Sequence, residues 1–168
     1  MLKEIFVSQA RKAVPVYRQF EAEARKDGAR FIEAEHVLLA LAASNTDAGK
    51  VLIESGFDRD HLAAALAEER RQSLAFAGVG ALVPMLTAAT ETDRPVTFGT
   101  TAKAALARAF KASYRERSRR ERLDSIDFLV GILSADLGTV PRAFALAGVD
   151  RSALIACARA FKKMSQPC

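Results

Sequence analysis

Tryptophan is absent from the 168 residues, and histidine and cysteine occur only twice each. Cys157 falls inside an apparent helix and Cys168 ends the chain, so there is no disulfide framework and nothing that points to an oxidising compartment. His36 and His61 stand 25 residues apart with no cysteine nearby, which does not compose a metal site. No apolar run approaches the roughly 18 residues of a membrane span. Met1-Leu2-Lys3-Glu4-Ile5-Phe6 lacks the long apolar core of a signal peptide, so the expected location is the cytoplasm. Neither a Gly-x-Ser-x-Gly elbow nor a His-Glu-x-x-His helix occurs, which removes the usual footing for a hydrolase. A phosphate-binding loop would need Gly-x-x-x-x-Gly-Lys-(Ser/Thr) to wrap backbone N–H groups around an anion. The sole Gly-Lys, Gly49-Lys50, is followed by Val51 and has Ser44 where the first glycine belongs. No catalytic residue and no cofactor is expected.

What is present is half apolar and 27% charged, with a formal charge of +5, enough to fold around a real core and only mildly basic. Alanine is abundant while valine and isoleucine are modest, a composition that favours helices. Ser8 can cap a first helix whose face runs through Ala10, Ala13, Val14, Tyr17, Phe20 and Ala24; Pro15 predicts a kink or a late start, and Asp27-Gly28 a stop. The stretch Phe31–Ala42 passes from polar Glu33 to His36 into a dense apolar block, which predicts a second helix from about Glu33 to Ala43. Ser44–Asp47 predicts a turn and a cap, then a short helix to Ser55 stopped by Gly56. Asp58 caps a fourth helix to about Gln72, with Leu62, Ala65 and Leu66 inward and Glu68 to Arg71 outward. Residues 73–97 form a joint, apolar at first (Leu74 to Val83) and polar at its end (Thr90 to Pro95). It either packs on the protein's own helices or offers a surface for self-association or a partner.

From Phe98 the chain repeats itself. Phe6 and Phe98 stand 92 positions apart, as do Ala10 and Ala102, Ala13 and Ala105, and Val14 and Leu106. One residue drops out before the second helix, where Leu38 matches Leu129. The register then recovers, pairing Gly56 with Gly148, Asp58 with Asp150, Arg59 with Arg151 and Leu62 with Leu154. Turn and core residues both match, which coincidence between alanine-rich helices would not produce. The expectation is an all-α fold of about eight helices: one domain over 1–168, with repeat one at 5–72, a connecting segment at 73–97 and repeat two at 98–163.

Phe-x-x-x-Ala-x-x-Ala-(Val/Leu), then Glu-His-(aliphatic)-Leu-Leu-Ala-Leu, then a Gly-(apolar)-Asp helix, all duplicated over residues 5–163, resembles the N-terminal domain of Clp-type AAA+ unfoldases. Glu35-His36 is the most specific part of that likeness. It implies two pseudo-twofold-related four-helix repeats that bind substrates and adaptors for an ATP-driven unfoldase. No ATPase module accompanies it here. Met1 and the polar tail Lys162–Pro167 suggest a free-standing Clp N-domain-like protein rather than an excised piece. The implied role is a non-enzymatic protein-binding module, working with a Clp unfoldase, its adaptors or its substrates. The alternatives are a decoy that sequesters small ligands or adaptors, and, from another class, a basic nucleic-acid-binding regulator.

In some relatives the Glu of each Glu-His copy helps bind phosphorylated arginine, a carboxylate being able to pair with a guanidinium while helix-end N–H groups and cations hold the phosphate. Glu35 matches in repeat one; in repeat two the place is taken by Ile126, which cannot do that chemistry. Ala34 stands where a hydroxyl cap is expected, and Ser125 keeps one. Glu35 can equally serve only to complement a helix start. His36 reads as a core-edge histidine tying helices together; Asp127 is its counterpart, so the contact is expected to differ between halves. The resemblance also implies a groove between the first helices of the repeats, taking partners or a cyclic peptide, at Phe6, Val14, Pro15, Phe98 and Lys103. Phe6 and Phe98 can instead be internal staples, leaving Lys103 as the contact. Arg115, Arg117, Arg119, Arg120 and Arg122 are either a solvated helix end or an anion patch, and no aromatics interleave them as a nucleic-acid surface would require.

Overall fold

Nearly every residue from Ile126 to Leu133 is apolar, and a helix with no polar face can only sit inside. The computed structural model, which describes residues 17–79, 96–116 and 123–165 (114–116 by backbone only), places Ser125–Leu133 (α6) at the centre of the core, with Ile126 through Leu133 all buried. The described residues form eight helices and one minimal strand pair. In chain order these are α1 Tyr17–Lys26, β1 Phe31–Ile32, α2 Ala34–Ala42, α3 Asp47–Glu54, α4 Arg59–Phe76, β2 Thr97–Phe98, α5 Thr100–Glu116, then α6, α7 Thr139–Leu146 and α8 Arg151–Met164. The fold is mostly helical, as composition predicts.

The helix ends follow local chemistry. Thr46 Oγ1 accepts the Gly49 N–H, Asp58 Oδ1 the His61 N–H, and Asp150 Oδ1 the Ser152 and Ala153 N–H groups, each satisfying donors that the first turn leaves open. Gly56 and Gly148 close α3 and α7 with positive φ, 83° and 68°, where a Cβ would be strained. Within the segments 47–56 and 139–148 the helices are both eight residues long, and α2 and α6 are both nine.

Three readings need correction. The fourth helix does not stop near Gln72: hydrogen bonds from Arg71 and Gln72 to Glu68 support its exposed turns, and it continues through Leu74 and Ala75 until Ala77-Gly78. Glu69 does not face outward with its charged neighbours but is buried, where Arg142 Nε and Ser73 Oγ donate to its Oε1 at 2.6 and 2.7 Å. The expectation of helices alone misses a parallel pairing of β1 and β2, with Phe31 opposite Thr97 and Ile32 opposite Phe98. Two-residue strands are too short to show an alternation. The expected start at Ser8 and the kink at Pro15 lie outside the described residues, as does the joint from 80 to 95.

Packing is most extensive between α5 and α6. Phe98 sits beside Tyr17 and Phe20 at ring-centroid distances of 5.4 and 6.5 Å, and Phe20 reaches Phe128 of α6 at 6.1 Å. This aromatic cluster joins the strand pair to the central helix, and the edge-on Tyr17–Phe98 contact adds to simple area burial.

Candidate functional site

The β1–β2 pairing brings two helix starts together, since α2 begins two residues after β1 and α5 two after β2. Each start is capped from the other side. The Ala34 N–H donates to Thr101 Oγ1 at 2.9 Å, while the Thr101 N–H donates to Glu33 Oε2 at 2.8 Å and the Thr101 hydroxyl donates to the same oxygen. Gly99 makes this possible: a Cβ there would lie 1.9 Å from Glu33 Oε1. A carboxylate at the start of α5 also meets the positive end of the helix dipole.

Behind this joint His36 is 3% exposed. The Glu33 N–H donates to its Nδ1 at 2.9 Å, so Nε2 carries the proton and donates to Asp27 Oδ2 at 3.3 Å. Arg70, on α4, forks onto both Asp27 oxygens at 2.9 and 3.2 Å. The His36 hydrogen bond, with the Arg70 guanidinium, outweighs partial burial and holds the Asp27 carboxyl well below the ordinary carboxylate range.

Asp127 plays the corresponding part in α6. The Asp124 N–H donates to its Oδ2 at 3.1 Å, and the Asp127 N–H returns to Asp124 Oδ1 at 2.9 Å. The expectation that His36 and Asp127 must act differently is therefore half wrong. Both accept the backbone N–H of the residue three before them, as the N3 member of a capping box; they differ in outer partner, and the Asp124 carboxylate accepts from its own helix whereas that of Glu33 accepts from Thr101. For Asp127 that partner is Lys162 of α8. The cap positions are Glu33 and Asp124, so Ala34 has lost no cap; the Ser125 hydroxyl instead accepts the Ala48 N–H at 3.2 Å, at the start of α3.

Of the residues singled out from sequence, Glu35 is half-buried in the first turn of α2. It has no hydrogen bond among the described residues, though it feels the charge of Arg70. Lys103 is exposed on α5, two residues beyond Thr101, with no ion pair among the described residues. Glu35 and Lys103 thus lie in the first turns of the two helices that the Glu33–Thr101 contacts link. Phe98 is 1% exposed, and its bulk fills the aromatic cluster, so it acts as the internal staple and offers no contact surface. Ile126 is buried in the core. Phe6, Val14, Pro15, Arg117, Arg119, Arg120 and Arg122 lie outside the described residues, as does the Arg115 side chain. His61 is exposed and lies 2.9 Å from Asp58. Among the described residues no three His, Cys, Asp or Glu side chains gather as a metal-binding set, and no helix is long and apolar enough to cross a membrane. No known family model matches the chain, and no curated protein matches it.

Sequence reasoning missed Glu33, Thr101, Asp27 and Arg70. A signal existed for one of them: Arg70 stands 92 positions before Lys162, the spacing that also separates Phe6 from Phe98, and each cation pairs with a carboxylate, Asp27 or Asp124, that is hydrogen-bonded to the first turn of α2 or α6.

The depressed Asp27 carboxyl sets an acid dependence. Its folded pKa lies below the unfolded value of about 4, so its contribution is fully present above that value and fades as pH falls through the folded one. In urea titrations from about pH 5 down to pH 2, wild type should lose midpoint faster than Asp27→Asn. Parallel slopes would remove Asp27 from the account.

Proposed function

We propose that this chain is a non-catalytic protein-binding module of the Clp N-domain type. It comprises two pseudo-twofold-related four-helix repeats and docks clients, adaptors or the unfoldase itself in Clp-dependent protein quality control. The observation that carries the proposal is the matched pair of capping boxes, Glu33/His36 and Asp124/Asp127, each opening a nine-residue buried helix and each followed by an eight-residue helix closed by a positive-φ glycine. That coincidence of cap, length and terminator supports duplication of a unit, and the Glu-His-aliphatic helix is the most specific likeness to Clp N-domains.

The docking surface is the joint between α2 and α5. Glu35 offers a carboxylate that can receive a guanidinium, and Lys103 a cation that can receive a phosphate or carboxylate. A phosphorylated arginine combines both charges, and Ile126 confines any such recognition to the first half. Titration of free phosphoarginine should show binding to wild type and at least about a tenfold loss in Glu35→Ala, the scale of one charge-assisted hydrogen bond. Equal affinities, or none in either protein, dispose of the ligand without touching the docking role. For that role the decisive experiment is capture from lysate at low and high salt. Enrichment of Clp subunits is the expected result; their absence, with salt-sensitive retention of DNA, would overturn it in favour of a nucleic-acid regulator.

A further inference from the structure

Where α4 passes α7 the packing leaves an apolar pocket that opens to solvent past the exposed Gly56, His61 and Ala147. A cavity of about 230 Å³ lies between them, floored by Leu62 and Leu66 and walled by Phe57 and Phe144, whose rings meet edge-on at 5.8 Å. Its origin is in the sequence. Ala65 on α4, and Ala143 and Ala147 in and just after α7, line it with single methyl groups, whereas neighbouring core positions carry leucine or phenylalanine. The apolar side chains that line such a pocket face water on one side, and a guest that covers them removes that area from water. The titratable side chain in the lining is His61, whose ring lies against Asp58, so no charge is directed inward to select an ionic guest.

We propose that this cavity is a binding site for a small uncharged apolar molecule built on a single ring. The commitment follows from size and lining. The volume is too small for a helix or a drug-sized ligand, which needs roughly 300 Å³ or more, and exceeds the roughly 150 Å³ that suffices for a benzene ring. The aromatic walls offer edge and face contacts to a ring, and the aliphatic floor offers dispersion contacts. The site is separate from the α2–α5 joint and does not depend on the docking role.

Toluene is the probe. Added to the full chain, it should raise the thermal midpoint saturably and shift the ring resonances of Phe57 and Phe144 in NMR spectra. Ala65→Leu and Ala147→Leu each fill the hole from a different element. Each should abolish the toluene-dependent shift, and in the absence of toluene each should melt about 2–4 °C higher for every kcal/mol that filling returns. Two variants are used so that one misfolded protein does not decide the matter. No saturable shift in wild type, or an undiminished shift in a folded filled variant, overturns the assignment.

Discussion

Gly131→Val is expected to lower the thermal midpoint by about 6–12 °C, corresponding to about 3 kcal/mol at some 2–4 °C per kcal/mol for a chain of this size. The reason is the closeness of α5 to α6. A Cβ at Gly131 would lie 2.3 Å from the Ala105 carbonyl oxygen and 3.0 Å from both the Cβ and the amide nitrogen of Ala109. Backbone atoms of a helix cannot rotate aside, so the two helices must separate. Separation would loosen the most extensive packing in the molecule and break the 2.7 Å hydrogen bond from Arg108 Nε to the Gly131 carbonyl. Ordinary overpacking costs about 1–3 kcal/mol, and an obstacle made of backbone belongs at the upper end. Gly56→Ala is the comparison: nothing lies within 4 Å of its Cβ, so the cost is only that of positive φ, about 1–2 kcal/mol. Should Gly131→Val melt within about 2 °C of wild type, the close crossing is not what holds α5 to α6.

The same position shows what could be read in advance. Under the repeat offset, Gly131 corresponds to Ala40, which is fully buried in α2. A small residue at both positions marks a helix crossing, but the step from alanine to glycine has meaning only once Ala105 and Ala109 are placed opposite. Local signals were legible: Asp58 as a cap, the Ser44–Asp47 turn with its cap, Gly28, Gly56 and Gly148 as terminators, and the apolar block that buries α2 and α6. Each rests on atoms within a few residues of one another. Contacts across the chain were not. Glu33 and Thr101 are 68 residues apart and Ser125 and Ala48 77, and a polar side chain at a helix start is ordinarily read as capping its own helix. Glu69 sat in a charged run that periodicity assigns to solvent, and Arg142, 73 residues away, is what makes its burial tolerable. For the candidate site the sequence singled out Glu35 and Lys103, but not the Glu33–Thr101 link that brings their helices together.

Lys162→Met should cost about 3 kcal/mol, while the same change at Arg70 should cost about 1 kcal/mol or less, although the two cations occupy matching places. The difference is burial. The Lys162 side chain is 11% exposed, between Asp127 at 8% and Asp124, whereas Arg70 is 51% exposed beside Asp27 at 37%. Methionine keeps the length and packing of the stem and removes only the ammonium. In the second half that leaves the Asp127 carboxylate inside the protein with the Asp124 N–H as partner but no compensating cation, the situation that makes half of a buried ion pair worse than none. In the first half Asp27 keeps the His36 hydrogen bond and has water in reach, so the loss approaches that of a surface pair. Asp127→Asn can still accept the Asp124 N–H, and combined with Lys162→Met it should recover part of the loss, giving a coupling energy of about 2 kcal/mol in a double-mutant cycle. The corresponding Arg70/Asp27 cycle should couple by less than about 1 kcal/mol. Urea denaturation of the two sets at pH 7 measures both. Equal costs for the two single substitutions would mean that burial at the start of α6 does not govern the strength of its cap.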